Sequence, residues 1–119
     1  MSRRSEALNK QVKGDDLTPV AAASRATSSD SGWLNAEEYS ALVLTLNCTV
    51  AAAANFSFIV ETASDSSGTN ARNCAGTQFS DVVGVASQRQ TFFGLDKFYR
   101  VRWTRTGGSA TFAVSGEGK

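Results

Sequence analysis

Ala41-Leu42-Val43-Leu44-Thr45-Leu46-Asn47-Cys48-Thr49-Val50 is the stretch that decides the fold. Leu42, Leu44, Leu46, Cys48 and Val50 fall on one face, and Val43, Thr45, Asn47 and Thr49 on the other. That period of two is the pattern of a half-buried strand. Asn55-Phe56-Ser57-Phe58-Ile59-Val60-Glu61-Thr62 repeats it, with Phe56, Phe58 and Val60 alternating against Ser57, Ile59 and Glu61. The link 51–54 is short enough to predict an antiparallel hairpin between the two. In residues 98–105 the alternation directs Tyr99, Val101 and Trp103 inward and Arg100 and Arg102 outward. Gly107-Gly108 is then expected to turn the chain into a further strand at 110–114.

Weaker strand patterns occupy 20–28, the neighbourhood of 78–83, and 86–93. Seven or eight short strands with turn residues between them predict an all-β antiparallel sandwich or jelly roll, and no helix of ordinary length can be placed. The polar run 65–73 reads as a hairpin tip. Residues 1–19 are polar and mixed in charge, and they end at Pro19, the only proline. They read as an N-terminal arm, leaving 20–119 as a single β domain, which is what 119 residues can close around one core.

Composition narrows the chemistry. There is no histidine, which removes imidazole acid–base catalysis, His-containing triads and the commonest metal ligand. Cys48 and Cys74 are too few for a disulfide framework or a closed cysteine zinc site. Cys48 shares a face with three leucines and reads as a small core residue; a reducing compartment favours free thiols, and any bond could only join Cys48 to Cys74 or link two chains. No Gly-rich phosphate loop is present, and the adjacent pairs Asp15-Asp16 and Glu37-Glu38 point apart on an extended chain. No catalytic residue, metal or cofactor is therefore expected. The N-terminus lacks the apolar run of a secretory signal, and no run reaches the length of a membrane span. The expectation is a non-secreted protein without a membrane contact.

The net charge of +1 conceals a gradient: +2 over 1–25, −5 over 26–81 and +4 over 82–119. In a sheet these are either neighbouring strands that pair or opposite flanks that dock subunits. Arg100 and Arg102, with Arg89, Lys97 and Arg105, suggest a basic strand face. The adjacent aromatics alternate to the other side, so a single-strand nucleic-acid platform is not expected and nucleic acid is not the expected partner. Trp33, after Asp30-Ser31-Gly32, reads as a core lid or an interface anchor. In the arm, Arg3, Arg4, Lys10, Leu8, Val12 and Leu17 are the candidate contact residues.

Residues 84–104, from Gly84-Val85-Ala86-Ser87 through Phe92-Phe93-Gly94-Leu95 to Arg102-Trp103-Thr104, followed by 110–116, resemble small virion proteins of tailed bacteriophages. The resemblance implies a β-sandwich body without enzymatic activity, located in the virion. Its partners would be the major capsid protein or other virion proteins, contacted in several copies. Decoration of the capsid surface is the first expectation and a neck or tail component the second. A carbohydrate-binding module, with Trp33 or Tyr99 as stacking platform, is the alternative from another class. The arm is expected to lie along a neighbouring subunit or the shell through Leu8, Val12 and Leu17.

Overall fold

Two very long strands carry the architecture. A computed structural model of the chain describes residues 14–119. Among these, β1 is Asp15–Arg25, β2 Ser29–Asp30, β3 Leu34–Asn35, β4 Ala41–Ala63, β5 Arg72–Asn73, β6 Ala86–Phe93 and β7 Phe98–Gly118. All seven belong to one antiparallel sheet. The all-β antiparallel expectation therefore holds.

β4 and β7 form a central ribbon registered from Leu42↔Gly118 to Ala63↔Phe98. β1, β2 and β3 follow one another along the outer edge of β7, while β5 and β6 pair with the outer edge of β4. A straight 23-residue strand would extend about 76 Å, yet the longest dimension of the molecule is 48 Å. The ribbon must bend. Its register slips between Cys48 and Val50 and again from Ala52 to Phe56, where Ala53 adopts φ 51° and Gly108 φ 62°. A side chain at Gly108 would collide with the carbonyls of Ala52 and Ala53, so this close approach requires glycine.

The bend lets inward-facing aromatics from both arms of the ribbon meet. Phe112, registered opposite Cys48, lies 4.9 Å from Phe58, 5.4 Å from Phe56 and 5.3 Å from Trp103 between ring centroids, each pair edge to face. Such pairs add about 0.5–1.5 kcal/mol beyond the area they bury. Leu42, Leu44, Leu46, Val60, Val101 and Val114 complete the core.

Two expected hairpins are thereby corrected. Residues 51–54 do not reverse the chain, nor do Gly107 and Gly108; both lie inside continuous strands. The two stretches oppose each other, with Ala52 registered against Ser109 and Asn55 against Gly107. They mark one coordinated bulge. The register slip after Cys48 also turns Val50 outward, 57% exposed, against its expected place in the core. No strand forms at 78–83. There the Gln78 amide brackets Val60, accepting from its N–H and donating to its carbonyl, and Val82 makes an isolated bridge to Phe56. A side chain substitutes for backbone pairing at that edge.

β6 matches the predicted 86–93, and the expected 65–73 tip is shorter, since Arg72 and Asn73 form β5; it is organised by Asp65 Oδ1 accepting from the N–H groups of Ser67 and Thr69. The strand expected at 20–28 begins earlier, at Asp15, so the boundary drawn at residue 19 falls within β1. Residues 1–13 lie outside the described residues.

Candidate interaction site

The outer face of the ribbon beyond the bend carries a charged cluster that begins with a pairing. Glu61 of β4 is registered opposite Arg100 of β7, and Ile59 opposite Arg102. All four face away from the aromatic core by the alternation of Phe58, Val60, Val101 and Trp103. Arg100 Nε donates to Glu61 Oε1 at 2.8 Å; Arg102 donates through Nε at 3.1 Å and through Nη2 to Oε2 at 3.2 Å. One carboxylate thus holds two guanidiniums. Asp30 of β2, registered opposite Arg102, adds a longer ion pair of 3.6 Å to Arg100.

Glu61 is only 8% exposed. Burial opposes its charge, but the hydrogen bonds from Arg102 and Arg100 outweigh that effect and hold its carboxyl below the ordinary value. The bond to Glu61 correspondingly raises Arg102. The alternation assigned Glu61 to the polar face, which is correct; its burial comes from the arginines lying over it.

Trp33 joins the cluster from the loop between β2 and β3. Asp30 Oδ1 accepts from Gly32 N–H at 2.6 Å, and Ser31 exchanges hydrogen bonds with the backbone of Val101. This local turn, with Gly32 at φ 78°, delivers the indole to the outer face. There the Arg100 guanidinium carbon stands 4.5 Å from the ring centroid, a cation–π contact. Gly68 closes in from the 65–73 tip at φ 87°, where a Cβ would lie 3.0 Å from the indole nitrogen.

Three of the residues singled out from sequence, Trp33, Arg100 and Arg102, are therefore brought together. Leu17 is elsewhere: it pairs with Gly116 and packs partly on the core. Arg3, Arg4, Leu8, Lys10 and Val12 lie outside the described residues. The suggested basic face does not form as a unit, since Arg89 lines a separate cleft and Arg105 Nε donates to the Gly108 carbonyl. Glu61 and Asp30 were missed because their role depends on which strand lies beside β7, which no local pattern states. Arg25 was also missed. Its guanidinium donates to the carbonyls of Ala21, Ala23 and Phe112 and lies over the rings of Phe112 and Trp103.

Tyr99, weighed as a stacking platform, is 2% exposed, and burial pushes its hydroxyl up to about 12. Cys48 and Cys74 are both buried and free, and burial pushes the Cys74 thiol up to about 12. Among the described residues no three His, Cys, Asp or Glu side chains group as metal ligands, and no helix is long and apolar enough to cross a membrane. No known protein family, curated protein or solved structure matches the chain.

Proposed function

We propose that this chain is a non-enzymatic structural protein that acts by docking on a larger shell, with the surface of a tailed-phage capsid as the shell. In this reading the two arms of the bent sheet are the layers of a β-sandwich. The major capsid protein is the partner, and the N-terminal segment contributes to the contact. The resemblance of 84–104 and 110–116 to small virion proteins supplies the shell's identity.

The observation that carries the docking reading is the state of the outer-face cluster. Trp and Arg are the residue types that dominate association energetics, and fixing them beforehand reduces the entropy lost on docking. Here Trp33 is clamped by Arg100, which Glu61 and Asp30 hold in turn. The same clamp occupies the ring that a sugar would need, and Tyr99 is buried. Both features favour assembly over carbohydrate binding.

Electron microscopy of intact particles tests the assignment. Density for the chain should appear in symmetric copies on the capsid exterior. Density confined to the neck or tail would replace decoration by that location, and absence from purified particles would refute a structural role in the virion.

A further inference from the structure

We propose that the cleft between β2 and β7 beside Arg102 is the seat for a carboxylate side chain, aspartate or glutamate, of the protein on which this chain docks. This deepens the docking reading, on which it rests, by naming what the partner brings to the outer face. The cleft holds about 210 Å³ and is lined by Ser28, Ser29, Asp30, Arg102, Trp103 and Thr104. Arg102 and Thr104 alternate outward along β7, and Asp30 is registered opposite Arg102, so the cleft continues the charged cluster.

The hydrogen bonding of the cluster is lopsided. Both oxygens of Glu61 are taken by Arg100 and Arg102. Asp30, the one carboxylate in the cleft wall, accepts from Gly32 N–H with Oδ1 and faces Arg100 with Oδ2. The carboxylate acceptors are therefore engaged, and the donors are not. Arg102 uses Nε and Nη2 on Glu61, which leaves Nη1. Ser28 Oγ accepts from Arg105 N–H at 2.8 Å, which leaves its O–H to donate. Water satisfies these donors while the surface is open; a partner that displaces the water must supply acceptors in its place. A carboxylate does this best, because its two oxygens match the planar N–H groups of an arginine.

The charge balance points the same way. Arg105 is tied through its backbone to Ser28 and through Nε to the Gly108 carbonyl, and among the described residues it has no carboxylate partner. Arg100, Arg102 and Arg105 thus stand against Glu61 and Asp30, which leaves one positive charge for one acidic side chain. A nucleic-acid backbone fits less well, since it would set a row of phosphates on a surface where carboxylates already neutralise most of the cations. Trp33, stacked on Arg100, and the half-buried Ile59, registered opposite Arg102, offer packing to apolar residues that flank the partner's carboxylate.

Co-sedimentation with particles lacking the chain tests the inference, with Thr104 as the probe position because it is exposed and outside the arginine–glutamate cluster. Thr104→Glu occupies the seat with a carboxylate of the chain's own, and it should bind about tenfold or more weakly than the size-matched Thr104→Gln, because like charges then meet on docking. Circular dichroism verifies the fold of both variants. Amidating the carboxylates of the particle surface with carbodiimide and glycinamide before mixing should weaken wild-type binding as well. Equal binding of the two variants, or wild-type binding indifferent to amidation, would overturn the carboxylate seat while the docking reading stands. Self-association of the purified chain that is lost in Thr104→Glu would give the seat to a second copy and overturn the partner named here. Failure of the wild type to bind unmodified particles would refute the docking reading itself, and the seat with it.

Discussion

At the scale of single residues, Glu61 is the side chain on which most depends. It accepts from two arginines, and its loss leaves two half-buried guanidiniums with Asp30 as the remaining carboxylate of the cluster. Glu61→Gln is expected to lower stability by about 2 kcal/mol in urea denaturation at neutral pH. The pH dependence has a definite sign. The folded carboxyl lies below its unfolded value, so its contribution is complete above the ordinary carboxylate range, about 4.3. It is lost as pH falls through the lowered folded value. The stability gap between wild type and Glu61→Gln should therefore begin to shrink as pH falls below about 4.3 and close only below the lowered folded value. A constant gap across that range would mean that the ion pairs are not the source. The outward direction of Arg100 and Arg102 was legible in the alternation. Their neutralisation by Glu61 was not, since 39 residues separate Glu61 from Arg100.

At the scale of elements, alternation identified β4 and β7 because one face of each is largely buried and the other is not; β6, where Phe92 alone is buried, gave a weaker pattern. The bend was misread for a physical reason. A tight turn and a β-bulge both demand left-handed backbone and small residues, so 51–54 and Gly107-Gly108 satisfy either. Only the register, which sets the two stretches opposite each other, distinguishes a bent ribbon from two hairpins. The bend also isolates a strained alanine. Ala53 at φ 51° occupies backbone space that costs an alanine about 1–2 kcal/mol. Ala53→Gly should relieve part of this and, after the added entropy of the unfolded glycine, leave a net stabilisation of about 0.5 kcal/mol. Thermal unfolding reads it as a rise in Tm, whereas a fall would show that the Ala53 methyl contributes more packing than its conformation costs. β1 shows another limit of legibility: its two register shifts, between Leu17 and Val20 and between Val20 and Ala23, break the alternation that would have marked its start at Asp15.

At the scale of the whole molecule, the gradient of charge along the chain becomes a set of contacts between neighbouring strands. The acidic middle meets the basic C-terminal third at Glu61 with Arg100 and Arg102, and at Asp30 with Arg100. Of the two arrangements open to that gradient, pairing between adjacent strands is realised in these contacts. The large aromatics Phe56, Phe58, Phe92, Phe112, Tyr99 and Trp103 are spent on the core. The proposed function accordingly rests on the outer surface as a whole and on no chemical step. Co-sedimentation of the purified chain with particles lacking it measures that most directly. The account predicts saturable binding that reaches a fixed ratio of chain to capsid protein; a chain that stays in the supernatant at every concentration would contradict it.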